Sequence, residues 1–228
     1  MKRLLLAATM LSALGLISVA NANPIITPTI SIALAQSPSG TKTVVANAVT
    51  GGSASYNSAF GSFSLVNVTA IGSPILPQPT FQTNSIDVKS QTTGDQYLYI
   101  YITQQNLTSP TGLNSFLSGF TANAFTGSVV SVDEYSYFSA SNALWGGTQL
   151  ASTHFTGLGS PAFSTPVTLT GTYSETAEFI VHMSGSGSVN DTINLKVPEP
   201  VSLSIFGVGM LGLGVISRRR QRNRAAIA

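Results

Sequence analysis

Residues 96–104 read QYLYIYITQ. Tyr97, Tyr99 and Tyr101 alternate with Leu98, Ile100 and Ile102, a period of two that sends phenols to one side of an extended chain and aliphatic groups to the other. The same period marks strands on either side: TKTVVANAV from Thr41, GSFSLVNVTAI from Gly61, SIDVK from Ser85 and GSVVSVDEYSYF from Gly127. Further along come TQLASTHF from Thr148, TPVTLTGTY from Thr165, AEFIVHMSG from Ala177 and SVNDTINLKV from Ser188. Turn-rich pieces such as GSPILPQP, SQTTGDQ and SGSGS lie between them. About nine short strands, spaced roughly 10 to 20 residues apart, predict an all-β body, an antiparallel β-sandwich of jelly-roll or immunoglobulin-like connectivity. One stretch stays open between helix and strand. In GLNSFLSGFTANAF, from Gly112, the apolar residues Leu113, Phe116, Leu117 and Phe120 also fall at helical spacing. Residues 23–39, rich in Pro, Ser and Thr, read as a leader ending in the first strand.

Only 8% of the residues are charged, and they are segregated. Lys2 and Arg3 open the chain, and Arg218, Arg219, Arg220, Arg222 and Arg224 close it. Between Asn23 and Pro200, three lysines face eight carboxylates, a net −5. A mildly acidic body with so few cations is a poor partner for nucleic acid, which demands several phosphate contacts. The absence of cysteine excludes disulfides, thiolate metal sites and a thiol nucleophile.

The two ends carry membrane signals. MKRLLLAATMLSALGLISVANA places two cations before an apolar run, and Ala20-Asn21-Ala22 has the small-x-small form of a signal-peptidase site. Residues 1–22 therefore read as a cleavable signal peptide. At the other end, KVPEPVSLSIFGVGMLGLGVISRRRQRNRAAIA sets Pro198, Glu199 and Pro200 before an apolar run over 201–217 and a basic tail over 218–228. Seventeen helical residues span roughly 25 Å, the short end of what crosses a bilayer. The five arginines act as a stop-transfer cluster and stay cytoplasmic under the positive-inside rule. The two prolines hold the preceding segment extended, in a form a protease can thread.

Pro-Glu-Pro, apolar helix and arginine cluster, in that order at the end of an exported chain, resemble the PEP-CTERM sorting signal. The resemblance covers about the last 30 residues. It implies cleavage near Pro198–Glu199–Pro200 by exosortase and transient residence in the inner membrane. It further implies release to the cell surface or extracellular matrix of a Gram-negative bacterium that makes extracellular polysaccharide. No LPxTG-like motif precedes the helix. The division is then signal peptide 1–22, β-sandwich body 23–197 and sorting signal 198–228.

Within the body, chemistry is sparse. His154 and His182 are the only histidines, no HExxH spacing occurs, and no GxSxG elbow is present. Asp133 and Glu134 are adjacent on a strand and so point to opposite faces, unlike the paired carboxylates of a glycosidase. Glu175 and Glu178 flank a strand start. Calcium could use loop oxygens near Asp87, Asp95 or Asp191, but no DxDxDG-type loop exists and no cofactor is expected. The stripe of Tyr97, Tyr99 and Tyr101, with a shorter one at Tyr135 and Tyr137, admits two readings. Rings on a sheet face stack on sugars, and they also cover a sheet and pair across strands. Trp145, followed by two glycines, is expected at a loop or strand edge, anchoring the core. The sequence thus predicts a non-enzymatic structural or adhesive surface protein, with a carbohydrate-binding module on the tyrosine face as the alternative.

Overall fold

The computed structural model describes residues 26–198. The signal peptide with Ala20 and Ala22, Glu199 and Pro200 of the sorting motif, the expected membrane helix and the five arginines lie outside them. Pro198 is the last residue described, and it is exposed. The body is all-β and antiparallel throughout. Its strands are β1 (Thr29–Ala35), β2 (Thr43–Val49), β3 (Ser53–Phe60), β4 (Phe63–Ile71), β5 (Phe81–Ser90), β6 (Gln96–Leu107), β7 (Gly112–Ser139), β8 (Thr148–Phe155), β9 (Ala162–Leu169) and β10 (Tyr173–Lys196).

Two of these are far longer than an ordinary strand of about six residues. β7 runs for 28 residues and β10 for 24, and they pair with each other along nearly their whole length. This ribbon belongs to two half-sheets. Residues 173–183 of β10 sit between β6 and the second half of β7, in the order β2-β1-β6-β10-β7-β8. Residues 187–196 sit between β5 and the first half of β7, in the order β3-β4-β5-β10-β7-β9. The half-sheets fold over a shared core. Ile30, Ile32 and Leu34 of β1 and Leu98, Ile100 and Ile102 of β6 join Val66 and Val68 of β4, Ile86 and Val88 of β5, and Phe179 and Val181 of β10 in one buried cluster.

The corner between the halves is the SGSGS piece. β10 passes through it without turning back, and its register with β7 breaks between Met183 and Gly187. Glycine is required there by close approach. A Cβ on Gly187 would stand 2.7 Å from the Thr126 carbonyl oxygen, and one on Gly127, at φ +70°, would stand 2.5 Å from that of Ser186. Strands that switch sheets through such bends form the corners of sandwiches. Two expected strands thereby become one, as AEFIVHMSG and SVNDTINLKV are both β10.

The open stretch from Gly112 is strand. Phe116, Ser118, Phe120 and Ala122 alternate inward, while Leu113 is 77% exposed. Pairing to β9 on one side and β10 on the other satisfies its backbone, and this decides against the helical spacing. β1 and β3 are strands that periodicity leaves unmarked. β1 is covered on both faces and shows no alternation, and β3 is SASYNSAF, nearly without large apolar groups.

Candidate functional site

The outer surface of the β6-bearing half-sheet gathers most of the residues singled out from the sequence. Register places them in rows running from β6 across β10 and β7 to β8. The first row is Tyr97, His182 and Ser131, and the second Tyr99, Ile180, Asp133 and His154. The third is Tyr101, Glu178, Tyr135 and Ser152, and the fourth Thr103, Thr176, Tyr137 and Gln149. Five tyrosines and two histidines thus share one face with two carboxylates. Strand alternation produces it directly: Leu98, Ile100, Val132, Phe179 and Val181 occupy the opposite, inward positions.

The face is not uniformly open. The β7–β8 loop, residues 140–147, folds back over the β1 and β6 side. The Thr103 and Thr176 hydroxyls lie 2.8 Å apart and accept the N–H groups of Trp145 and Gly146 at 3.2 and 3.3 Å. Asn106 and Asn142 exchange amide hydrogen bonds, and Ser174 donates to the Ala143 carbonyl at 2.6 Å. These bonds hold Trp145 at φ +60°, with its ring edge-on to Tyr101 at 6.3 Å. Lys42 Nζ lies 4.5 Å from the Tyr101 ring centroid. Tyr99 and Tyr101 are consequently buried, packed with Ala33 and Ala35. Tyr97 is 41% exposed and stacks on His182 at 4.2 Å with an interplanar angle of 9°. The stripe of three is therefore divided, one ring presented and two covered.

The second stripe remains half-open. Tyr135 and Tyr137 lie 6.2 Å apart with ring planes 20° apart. Tyr137 donates its hydroxyl to Glu178 at 2.8 Å. Burial, then the bond to and charge of Glu178, push the Tyr137 phenol above its ordinary range. Tyr101 moves the same way through burial and the Glu178 charge, as do Tyr99 and Tyr135 through burial first. All four phenols keep their protons and remain hydrogen-bond donors. Asp133 takes His154 Nδ1 at 2.6 Å, and Asp95 meets His182 Nε2 at 3.3 Å. The open part of the face offers flat rings, phenolic and imidazole N–H and O–H donors, and carboxylate acceptors at their edges.

The other candidates are dispersed. Asp133 is partly exposed, whereas Glu134 points inward and is fully buried. Glu175 and Asp191 are also buried in the core. Asp87 accepts from Asn190 at 2.7 Å, on a different sheet face from Asp191. Among the described residues no group of three His, Asp or Glu is placed to hold a metal ion. Two clefts among the described residues lie on the outer side of the other half-sheet. One of about 290 Å³ is lined by Gln82, Gly119, Thr192 and Asn194, and one of about 540 Å³ by Pro77, Gln78, Val197 and Pro198, with Leu117 and Lys196 common to both.

Sequence reasoning left Glu178, Ile180 and His182 without a place on this face. The alternation of ETAEFIVHM, extended from the neighbouring tyrosine strand, was the available signal. The covering loop had none.

No family model matches the chain, and no curated protein matches it. Among solved structures, TmCBM61 in complex with β-1,4-galactotriose aligns at 9% identity over 64% of this chain and 88% of its own, with a TM-score of 0.35. The enzymatically active domain of tailspike protein 4 of bacteriophage CBA120 aligns at 15% identity over 65% of this chain and 20% of its own, at 0.33. The K1 cleaved adhesin domain of Lys-gingipain from Porphyromonas gingivalis W83 aligns at 8% identity over 65% and 99%, at 0.27. Similarities of this size carry no argument about what this chain binds.

Proposed function

We propose that the chain is a non-enzymatic adhesive protein of the cell surface or extracellular matrix of a polysaccharide-producing Gram-negative bacterium. It is exported by its signal peptide, held briefly in the inner membrane and released by exosortase near Pro198–Glu199–Pro200. Its body, an antiparallel β-sandwich, contacts polysaccharide through the outer face of the β6-bearing half-sheet. The observation that carries the binding part is the open half of that face. Tyr97 on His182, the parallel pair Tyr135 and Tyr137, and the carboxylates of Asp133 and Glu178 combine stacking surfaces with hydroxyl-directed donors and acceptors. A sugar ring uses both, one through its apolar face and the other through its equatorial hydroxyls.

Retention on insoluble polysaccharides tests this. The double variant Tyr97→Ala/Tyr135→Ala is expected to lose about 10-fold in affinity, roughly 1.4 kcal/mol, with its melting temperature little changed. Equal retention of variant and wild type, or none by either, removes the face from the account. Turnover of a glycan abolished by Asp133→Asn would replace adhesion with hydrolysis. For the sorting route, intact mass of the protein recovered from the native host is decisive. A species lacking residues 1–22 and everything beyond the 198–200 region is expected, and one retaining the arginine tail would mean a plain membrane anchor.

A further inference from the structure

Among the described residues four strands are edges, each paired on one side only: β2, β3, β8 and β9. An edge offers unpaired N–H and C=O groups to any other strand, and folded proteins blunt it with charge, proline or irregular register. β2 is broken twice in its register with β1, reaches φ +48° at Ala48 and follows Lys42. β8 carries His154, paired to Asp133, and β9 carries Pro166. β3 has no such device over most of its length. Six consecutive residues, Ser53 to Ser58, pair with β4 without a break, and the strand contains neither charge nor proline. Its exposed side chains, Ser53, Ser55, Asn57, Ser58 and Ala59, are too small to fend off a neighbour. Of its outward groups, the Ala59 carbonyl is taken by the Tyr56 hydroxyl at 2.9 Å.

The surroundings extend the pattern. Residues 43–86 contain no Asp, Glu, Lys, Arg or His. They comprise all of β2, β3 and β4 and the first part of β5. The rest of the body carries the net negative charge. A second copy approaching along β3 therefore meets no charged side chain on the facing strand. We infer that β3 is an assembly edge, through which a second copy of this chain extends the sheet by antiparallel β3–β3 pairing about a two-fold axis. Such pairing is self-complementary, since each strand offers the other the same alternating donors and acceptors. The inference is independent of the glycan face, which lies on the other half-sheet.

The lack of native cysteine makes the test clean. Single-cysteine variants Ser55→Cys and Asn57→Cys on β3, with Gln149→Cys on β8 and Thr168→Cys on β9 as controls, are made in the full chain. They are treated with a short thiol–thiol crosslinker in polysaccharide-free buffer. Opposed residues of an antiparallel pair have Cβ atoms about 5 Å apart, so a β3 variant is expected to give a covalent dimer and the controls none. In parallel, Ser55→Lys/Asn57→Lys is expected to halve the sedimenting mass while leaving the melting temperature unchanged. Raising salt is expected to leave the wild-type assembly intact, because no charge pair holds it. Absence of β3 dimers, equal crosslinking of the controls, or an unchanged mass for the lysine variant would each overturn the inference.

Discussion

Glu134, Glu175 and Asp191 are fully buried, and no hydrogen bond reaches any of their carboxylate oxygens. No lysine, arginine or histidine is buried with them among the described residues. Burial and the neighbouring Asp191 raise Glu134 to about 10, burial raises Asp191 to about 8, and burial alone lifts Glu175 well above the carboxylate range. The sign follows from linkage: the folded chain holds protons that the unfolded chain has released. Stability from these groups is full below about pH 4, the unfolded value, and is lost as pH rises toward 8 for Asp191 and toward 10 for Glu134. Each group costs about 1.4 kcal/mol per pH unit across its window. Thermal melts are therefore expected to show a higher Tm at pH 5 than at pH 9. Glu134→Gln should flatten that slope, raising the Tm markedly at pH 8 and little at pH 4. Asp133→Asn, one residue away but partly exposed against an exposed histidine, should change stability by less than about 1 kcal/mol. A Tm flat in pH would show the buried acids to be solvated.

Among the elements, the β7–β10 ribbon governs the architecture. It supplies the middle of both half-sheets, and its corner depends on two backbones passing where no Cβ fits. Gly127→Ala adds a left-handed conformation to a clash with the Ser186 carbonyl, and a loss of about 2 to 4 kcal/mol is expected in denaturant melts. Gly51→Ala makes the comparison. Its φ is +94°, yet nothing lies within 4 Å of its added Cβ, so only the conformational cost of about 1 to 2 kcal/mol applies. Equal losses at both sites would mean that the corner relaxes freely. The β7–β8 loop is the second decisive element. Thr176→Val removes the acceptor for Gly146 and the partner of Thr103. It should loosen Trp145, seen as a red shift and increased quenching of this chain's single tryptophan.

For the whole molecule, charge is arranged by region. The ends carry cations, the core hides acids, one outer face mixes phenols with carboxylates, and the β2–β3–β4 side carries no charge at all. Such a body presents the aromatic face proposed to meet glycans in one direction and the uncharged β3 edge in another. Multiplying weak faces through assembly raises avidity without new contacts. Polysaccharide retention by wild type is accordingly expected to exceed that of Ser55→Lys/Asn57→Lys at equal protein concentration, with single-site affinity for short oligosaccharides unchanged.

The alternation in QYLYIYITQ and its counterparts determined the all-β, antiparallel class, because a period of two records which side of a strand each residue faces. It also placed Asp133 and Glu134 on opposite faces. The sorting signals expected at the two ends lie outside the described residues, and the fold of the body does not bear on them. Elsewhere the local pattern was insufficient. β1 was hidden because both its faces are covered, and β3 because an edge strand buries too little to need large apolar groups. Leu113, Phe116, Leu117 and Phe120 fit two periods, and only the strands on either side chose between them. The turn-like SGSGS became a corner because β7 runs alongside it through the same bend. Tyr97, Tyr99 and Tyr101 were equivalent by sequence. Only a loop some 40 residues away, pinned by Thr103 and Thr176, left Tyr97 in solvent and covered the other two, since burial is set by what packs against a residue rather than by its neighbours in the chain.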